Sequence, residues 1–215
     1  MGVLSLGWVT GLTAEARLVR GLGEVAAGGS VPDGAAAAAE RLVRAGARGL
    51  ISFGLAGGLD PALRPGAIVV PHEIVEASEL FTADAALTEW LGGVSHERMA
   101  VGQAVIADVA GKQALFAQTG AVAVDLESGA VARVAGAHRL PFAALRAVCD
   151  PADADLPPAA LAALDGQGMI GFGRVLRSVL AHPGQIAALL RLAGDAAAAR
   201  RALRNRLVSL RANPL

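Results

Sequence analysis

Two acidic residues lie where apolar segments of the sequence end. Glu127 follows AVAVDL at a predicted junction between a strand and a helix, where its carboxylate could accept hydrogen bonds from two hydroxyls of a ribose. Asp150 ends the apolar run PFAALRAVCD, a position where an α/β enzyme would place a general acid. Both also have structural explanations, because Glu127 would favour the dipole of the following helix and Asp150, before a proline, could cap a turn.

Three further charged residues lie near these acids in the sequence or in the first predicted helix. Arg146 falls inside the same apolar run as Asp150, so it needs an anionic partner, either a protein carboxylate or a ligand. Asp125 precedes Glu127 by two residues and is expected on the opposite face of the strand, with a structural role. Glu15 lies in the first predicted helix, where such a residue is commonly solvated.

A glycine-rich segment, SFGLAGGL, follows a predicted strand. Its glycines, Gly54, Gly57 and Gly58, would let the backbone approach a ligand and present N–H groups to it. The spacing is not that of a dinucleotide-binding fingerprint, and no Gly-Lys-Ser/Thr follows as in a P-loop. A tight turn between core elements explains the same spacing.

Strands and helices alternate in the pattern of the sequence. Strands are predicted over 3–10, 48–54, 121–126 and 141–150, with strand regions over 67–77 and 97–107 and a loop over 55–66. Helices are predicted over 13–25, 35–47, 82–93, 111–120 and 127–140, and three Ala/Leu-rich helical stretches follow residue 164, the last over 195–212. This order predicts an α/β three-layer sandwich with a central mixed, mostly parallel sheet, in one domain over residues 1–215.

The composition excludes several classes of function. The 215 residues are 54% hydrophobic with a formal net charge of zero, so no nucleic-acid partner is indicated. A single cysteine, Cys149, is predicted to be a buried apolar residue; it excludes an internal disulfide and fits a reducing compartment. The four histidines lack metal-ligand spacing, so no metal is expected. We predict a cytoplasmic protein without a signal peptide or transmembrane segment, whose only membrane contact would be peripheral.

The order of four segments carries a resemblance that no single motif does. GLTAEAR, SFGLAGGLDPALRPGAIVVP, AVDLESGAVARVA and LPFAALRAVCDPAD together resemble the nucleoside phosphorylase and nucleosidase superfamily over most of residues 3–152. The branch they resemble most is methylthioadenosine/S-adenosylhomocysteine nucleosidase. The continuation DPADADLPPAAL and the short N-terminal half look like the hopanoid-associated phosphorylase subfamily.

The resemblance implies a role for each candidate residue. It places Glu127 on the glutamate that grips the ribose 2′- and 3′-hydroxyls, and Leu126 on a methionine that packs against the sugar. It places Asp150 on the aspartate that protonates the purine at N7, and Arg146 on the arginine near the attacking water or phosphate. Glu15 lies near the glutamate of the first loop, so the implied catalytic residues are Asp150, Glu127 and Glu15.

Two departures from the family leave the acceptor open between phosphate and water. Leu55 stands where the family usually has Ser or Thr, and Ser52 where some phosphorylases have Arg. Phosphate as co-substrate would need the loop N–H groups together with Arg17, Arg64 or Arg146. No other cofactor is implied. The implied substrate-binding residues are Leu126, Arg146, Gly57, Ala56, Leu55 and Phe53, and Phe81 and Phe116 are further aromatic candidates for a base pocket.

The function that the resemblance implies is cleavage of the N-glycosidic bond of a purine nucleoside modified at its 5′ position. With few aromatic residues in the chain, an aliphatic pocket would suit a bulky apolar 5′ group, and adenosylhopane, releasing adenine in hopanoid biosynthesis, is the first hypothesis. A methylthioadenosine/S-adenosylhomocysteine nucleosidase is the second, and a catalytically weak nucleoside-binding protein is the third. Relatives are dimers or larger, so a homodimer is expected.

Overall fold

Nine strands of the described chain form one mixed sheet. The computed structural model describes residues 5–163, 183–213 and 215. The strands are β1 Leu6–Thr10, β2 Glu24–Ala27, β3 Gly49–Gly58, β4 Ile68–Val69, β5 Pro71–Glu76, β6 Glu79–Thr82, β7 His96–Val101, β8 Ala123–Asp125 and β9 Phe142–Asp150. The main path of the sheet runs β2-β1-β3-β8-β7-β5-β6, and β9 pairs with both β3 and β4.

Seven described helices flank or follow these strands. They are α1 Thr13–Ala16, α2 Pro32–Arg44, α3 Ala85–Trp90, α4 Val109–Thr119, α5 Ser128–Ala137, α6 Pro158–Ala163 and α7 Ile186–Ala212, with a 3₁₀ turn at Pro183–Gln185 before α7. None of the described helices is both long and apolar enough to cross a membrane.

The sheet is covered on both faces by apolar helix surfaces. On one face α2 and α5 pack against β1, β3 and β9, with Ala38, Leu42 and Val131 among the fully or nearly fully buried side chains. On the other face α3 and the second half of α7 pack against the same central strands through residues such as Leu87 and Leu203. This is the predicted three-layer α/β sandwich, so the expectation of fold class is confirmed.

The two longest strands, β3 and β9, form the centre of the sheet. They are parallel, and every residue of either strand is buried or nearly so, as expected for strands covered on both faces. Their register places Gly54 beside Arg146 and, after an irregularity at Ala56 and Gly57, places Gly57 beside Asp150. The glycine-rich segment and the charged end of β9 are therefore neighbours.

Two predicted elements near the start of the chain are wrong. The helix predicted over 13–25 ends at Ala16, and Glu24–Ala27 is a strand parallel to β1. Gly23 explains the change, because a Cβ there would lie 2.3 Å from the Leu6 carbonyl oxygen, so only glycine lets the chain approach β1 this closely. The predicted loop over 55–66 begins too early, since β3 continues to Gly58 by pairing with β9 and β8.

The C-terminal region also differs from the prediction. Residues Ile186–Ala212 form one helix of 27 residues, α7, whereas the last predicted stretch began only at residue 195. The predicted stretch between α6 and this helix falls on residues 164–182, which lie outside the described residues. Buried residues on α7 are confined to its second half, beginning at Ala199, so its first half is not part of the sheet core.

Candidate active site

A cavity of about 520 Å³ lies where β1, β3, β8 and β9 end. In sheets of this kind ligands bind beyond the carboxyl ends of the strands, because the loops there are free to carry functional groups. Residues after β1 and β8 and the last residues of β3 and β9 form a polar end. The loop over 104–106, helix α6 and the first half of α7 form the opposite wall, which is aliphatic.

Arg146 is the centre of the polar end, and protein carboxylates supply its anionic partners. Its side chain is fully buried, and Nη2 donates to Ser52 Oγ at 2.6 Å and to Glu127 Oε2 at 3.2 Å. Nη2 also forms an ion pair with Asp125. Asp125 therefore lies on the same side as Glu127, and the expectation that it points to the opposite face is wrong. The strand β8 ends at Asp125, so the alternation of faces does not extend to Glu127.

Asp125 also accepts hydrogen bonds from Ser128, the first residue of helix α5, which explains its position. Its carboxylate accepts from the backbone N–H of Ser128 at 3.2 and 3.3 Å and from the Ser128 hydroxyl at 2.6 Å. These bonds satisfy groups at the start of the helix that have no partner within it. The Asp125 carboxylate thus binds both the first residue of α5 and the guanidinium of Arg146.

The two carboxylate oxygens of Glu127 differ in their contacts. Oε2 accepts a hydrogen bond from Arg146, and Oε1 has no hydrogen-bond partner among the described residues. It is the residue immediately before α5, yet its side chain makes no capping hydrogen bond, so the helix-dipole explanation does not account for its orientation. Oε1 is buried and accepts no hydrogen bond within the described structure. Burial raises the pKa of Glu127 to about 7, against the lowering effect of Arg146. An unpaired acceptor beside a cavity is suited to binding hydroxyl groups.

Glu15 is held at the same end by backbone donors rather than by solvent. The N–H of Leu12 donates to Oε2 at 2.8 Å, and the N–H of Leu55 donates to Oε1 at 3.0 Å. The side chain is 3% exposed, and this burial raises the pKa of the Glu15 carboxyl above its ordinary value. The structure therefore brings Glu15 together with Glu127 and Arg146, and the solvated alternative is wrong.

Two glycines make room for this cluster of charged side chains. A Cβ on Gly11 would lie 2.3 Å from Glu127 Oε1 and 2.7 Å from Ser30 Oγ. A Cβ on Gly54 would lie 2.7 Å from Arg146 Nη1 and 2.8 Å from Glu15 Oε1. All four distances are shorter than an ordinary contact, so the carboxylates and the guanidinium can occupy these places only where the backbone carries no side chain.

Asp150 has a partner that the sequence analysis missed, Lys112. The Lys112 ammonium donates to Asp150 Oδ2 at 2.7 Å and to the carbonyls of Pro151 and Ala154 at 2.8 and 2.9 Å. Lys112 is 1% exposed, and both residues line the cavity. The signal that could have found it is composition, since Lys112 is the only lysine among the 19 basic residues counted as Lys or Arg.

The wall opposite the charged groups is built from aliphatic side chains. It is formed by Val105, Ile106, Leu156, Leu189 and Leu192, with Ala104, Ala159, Ala160, Ala193 and Ala196, and Arg200 is the one cation on this side among the described lining residues. Leu12, Leu55, Val124 and Leu126 add apolar side chains at the polar end. Leu55, Ala56, Gly57 and Leu126, which the resemblance assigns to substrate, all line the cavity.

The predicted aromatic contacts are wrong for the described cavity, whose lining contains no aromatic side chain. Phe53 alternates with Ser52 along β3 and therefore points to the other face of the sheet, where it packs edge-on against Trp8 at 5.7 Å between ring centroids. Phe81 lies beneath Arg133, and Phe116 packs beside a separate core cluster.

Three other predicted residues also lie differently from expectation. Cys149 is half-buried and lines the cavity, with Sγ 3.4 Å from Asp150 Oδ1, and burial raises the pKa of its thiol well above the ordinary value. Neither Arg17 nor Arg64 lines the cavity, and Arg64 pairs with Asp153 at the surface instead. Of the three arginines considered as phosphate ligands from the sequence, Arg146 alone lines this cavity.

One group of potential metal ligands occurs away from the cavity. The side chains of His72, Glu73 and Glu97 place one ligand atom each within 4.8 Å of one another, although their spacing in the sequence did not indicate a metal site. None of them lines the cavity, and the sites described above do not involve them.

Comparison with family models identifies the wider group to which this geometry belongs. The model described as Phosphorylase superfamily matches residues 25–99 and 94–169, which together span more than half of the chain. The chain belongs to the phosphorylase superfamily. The matched segments include β3, β8 and β9 and therefore most of the polar end of the cavity. No protein of curated function matches the sequence.

Solved structures of superfamily nucleosidases share the fold over nearly the whole chain. The S-adenosylhomocysteine nucleosidase of Streptococcus pyogenes, in complex with 5-methylthiotubericidin, has a TM-score of 0.69 at 15% identity, over 100% of this chain and 99% of its own. A mutant methylthioadenosine nucleosidase of Helicobacter pylori with 5′-methylthioadenosine in the active site has a TM-score of 0.67 at 15% identity, over 96% and 99%.

A third structure shows that the likeness is not limited to one activity. The futalosine hydrolase of Helicobacter pylori has a TM-score of 0.64 at 16% identity, over 83% of this chain and 98% of its own. At these identities the likeness establishes the common fold. The choice of substrate must therefore be argued from the residues of this chain.

Proposed function

We propose that this superfamily member hydrolyses the N-glycosidic bond of a purine nucleoside that carries an apolar group at its 5′ position. The observation that carries the proposal is the buried Oε1 of Glu127, which has no hydrogen-bond partner among the described residues. It lies beside Arg146 at a cavity that Glu15 and Asp150 also line. In this assignment Glu127 accepts hydrogen bonds from the ribose hydroxyls. Its negative charge also stabilises the cationic sugar that forms as the bond breaks.

Asp150 is assigned to the leaving base. Breaking the bond leaves negative charge on the purine, and a proton delivered to N7 neutralises it. Asp150 ends β9 about one strand spacing from Gly57 on β3, at the cavity surface. The carboxyl groups of Glu127 and Asp150 thus belong to two different elements that meet at the cavity, as a division of labour between sugar and base requires.

Water is the proposed acceptor because the polar end is poorly suited to phosphate. The N–H groups of Leu12 and Leu55, which could bind an anion, already donate to Glu15. Two further carboxylates, Asp125 and Glu127, surround the single guanidinium of Arg146. A phosphate here would meet more negative than positive charge. A raised pKa makes Glu15 a suitable general base for a water molecule.

The aliphatic wall supports an apolar 5′ substituent, with adenosylhopane as the first candidate. Leu189, Leu192 and Ala193 on α7 face the cavity together with residues of α6. The apolar surface continues outward, because Ile186 and Leu190, one helical turn apart on α7, are exposed. A small polar 5′ group would leave this surface in contact with water, whereas a large hydrocarbon would bury it at about 25 cal/mol per Å².

A methylthioadenosine or S-adenosylhomocysteine nucleosidase is the second candidate. It is favoured by the likeness of fold to the two nucleosidases described above, which extends over almost the entire chain. Both candidates use the same sugar and base contacts. They differ only in the group that meets the aliphatic wall.

The test is adenine release from adenosylhopane, 5′-methylthioadenosine and S-adenosylhomocysteine, each with and without phosphate. We expect release without phosphate, a free sugar product and the highest kcat/KM for adenosylhopane. A strong preference for methylthioadenosine would replace the first candidate by the second. Formation of a sugar 1-phosphate would contradict the choice of water. Absence of adenine release from all three substrates would favour a nucleoside-binding protein.

A further inference from the structure

We propose that Lys112 supplies the proton that Asp150 passes to the leaving purine. The inference rests on the proposed function and deepens it by adding a residue to the same site. Lys112 acts through Asp150, so it is a positioning residue that also replaces the proton of the aspartate. Three observations support this role. They are the geometry of the Lys112 ammonium, the chemistry of its hydrogen-bond partners, and the fact that every other residue counted as Lys or Arg is arginine.

The ammonium of Lys112 is fixed by three acceptors. Its distances to Asp150 Oδ2, the Pro151 carbonyl and the Ala154 carbonyl are 2.7, 2.8 and 2.9 Å, which accounts for all three of its hydrogens. Of these acceptors, only the Asp150 carboxylate can accept the proton and pass it on as a general acid. The hydrogen bond from Lys112 to Asp150 is therefore the route by which a proton can leave the ammonium.

The segment between Asp150 and α6 is fastened to the start of α4, which carries Lys112. Asp155 Oδ1 accepts from the N–H of Val109 at 2.8 Å, and the N–H of Leu156 donates to the Ala107 carbonyl at 2.7 Å. These bonds fix the backbone on both sides of the ion pair. The side chain of Lys112 is 1% exposed, so the pair is shielded from solvent and its geometry is set by the protein.

A lysine at this position differs chemically from the other basic residues of the chain. All other residues among the 19 counted as Lys or Arg are arginines. A guanidinium remains protonated under all conditions relevant to proteins, whereas a buried ammonium can give up a proton. If the site needed only a positive charge to hold Asp150, arginine would serve. A role in proton supply explains why the residue is lysine.

The proposed step balances in protons and electrons. The electron pair of the C–N bond moves to N9 of the purine as the bond breaks. Lys112 Nζ gives a proton to the Asp150 carboxylate, and the carboxyl group gives a proton to N7, so that the neutral base leaves and Asp150 is again ionised. The water oxygen bonds to the sugar carbon, and its proton goes to Glu15. After the products leave, water that enters the cavity reprotonates Lys112 and deprotonates Glu15, both of which line it.

The test separates proton supply from structural support by changing the leaving group. Lys112→Met and Lys112→Arg are assayed on the best adenine nucleoside and on a 4-nitrophenyl riboside with the same 5′ group, whose leaving group departs without a proton. We expect both variants to lose at least about 100-fold in kcat on the adenine nucleoside. We expect losses of less than about threefold on the nitrophenyl riboside, and the same pattern in Asp150→Asn.

Arg64→Met removes the cation of the surface pair with Asp153, 3.1 Å apart, and should leave both activities unchanged. Recovery of adenine release in Lys112→Arg, or equal losses on both substrates in a folded Lys112→Met, would overturn the proposal. If Lys112→Met does not fold, Lys112→Arg decides alone. Failure of the wild-type protein to cleave either substrate would instead reject the proposed function.

Discussion

Ionising the Glu127 carboxyl group is energetically unfavourable, because the group is buried and shares the guanidinium of Arg146 with Asp125. Burial raises its pKa to about 7, and the neighbouring carboxylates of Asp125 and Glu15 add to the rise, while Arg146 opposes it. A nucleoside changes this balance. Two ribose hydroxyls would donate to the carboxylate, and a developing positive charge on the sugar would favour its ionised form. In the free protein the charge of Glu127 is therefore disfavoured, and in the transition state the same charge stabilises the sugar cation.

Neutral replacements of the two proposed catalytic carboxylates test this assignment. Glu127→Gln and Asp150→Asn should each raise the barrier by roughly 2–4 kcal/mol, because each removes a charge or proton that acts in the transition state. The measurement is kcat/KM for adenine release. Asp153→Asn, on the exposed surface three residues after Asp150, serves as the control and should have wild-type activity. Near-normal activity of either catalytic variant would remove that residue from the mechanism.

The pH dependence of activity follows from the state of Glu127. Below pH 7 its carboxyl group becomes protonated in the free protein and loses the charge that stabilises the sugar cation. We expect kcat/KM to fall on the acid side of pH 7 by about tenfold per pH unit, since this parameter reports ionisations of the free enzyme. Glu127→Gln, already low in activity, should have a shallower acid limb, because only the ionisation of the proposed base, Glu15, then remains. A wild-type profile that stays level from pH 5 to 8 would contradict the role of the carboxylate.

Individual residues were predictable from the sequence where charge interrupts an apolar segment. Glu127, Arg146 and Asp150 stood out for this reason, and the structure places all three at one cavity. Lys112 did not stand out, because it lies in a polar stretch and becomes buried only when the segment after Asp150 folds over α4. Asp125 was misplaced because its orientation depends on where β8 ends, which the local pattern does not define.

At the scale of elements, the loop after β1 and the middle of β3 each have a glycine where a charged side chain of the site packs against the backbone. Gly11 lies against Glu127, and Gly54 lies against Glu15 and Arg146. Gly11→Ala should reduce activity strongly by displacing Glu127, whose Oε1 would lie 2.3 Å from the new methyl group. Gly136→Ala on α5, where a Cβ meets nothing within 4 Å, is the control. Both are measured by kcat/KM and thermal unfolding, and equal activity in the two variants would refute the close approach.

Helix α7 has two functions along its length, and matched substitutions separate them. Leu203 is fully buried against the sheet, so Leu203→Ala should destabilise the protein by about 2–5 kcal/mol, measured by denaturant unfolding. Leu192 lines the cavity and is only partly buried, so Leu192→Ala should leave stability nearly unchanged and raise KM for a substrate with a large apolar 5′ group. A rise in KM of the same size for a substrate lacking that group would argue against the aliphatic wall as the 5′ subsite.

The elements themselves were predicted correctly where the apolar pattern is long and were missed where it is short. The two central strands and the helices α2 and α5 follow directly from runs of apolar residues. The edge strand β2 has only four residues, none of them fully buried, and its position depends on Gly23 lying against β1. The C-terminal half of β3 resembled a loop because its glycines favour turns, and it is a strand because it pairs with β9 and β8.

At the scale of the whole molecule, the buried carboxylates couple the stability of the fold to pH. In the unfolded chain Glu127 has its ordinary pKa of 4.5, whereas in the folded protein it has a pKa of about 7. Between these values the folded state retains a proton that the unfolded state has lost. The free energy of unfolding must therefore decrease as pH rises through this interval. Burial raises the pKa of Glu15 as well, which acts in the same direction.

The contribution of Glu127 can be isolated by a difference measurement. Its shift corresponds to about 3 kcal/mol, present in full below pH 4.5 and lost by pH 7 and above. Urea unfolding of the wild type and of Glu127→Gln from pH 4 to 8 should give curves whose difference declines with this sign, because glutamine does not titrate. A saturating nucleoside should reduce the decline by stabilising the ionised form. A difference that is constant with pH would mean that Glu127 is already ionised in the free protein, and the acid limb of activity would then require another group.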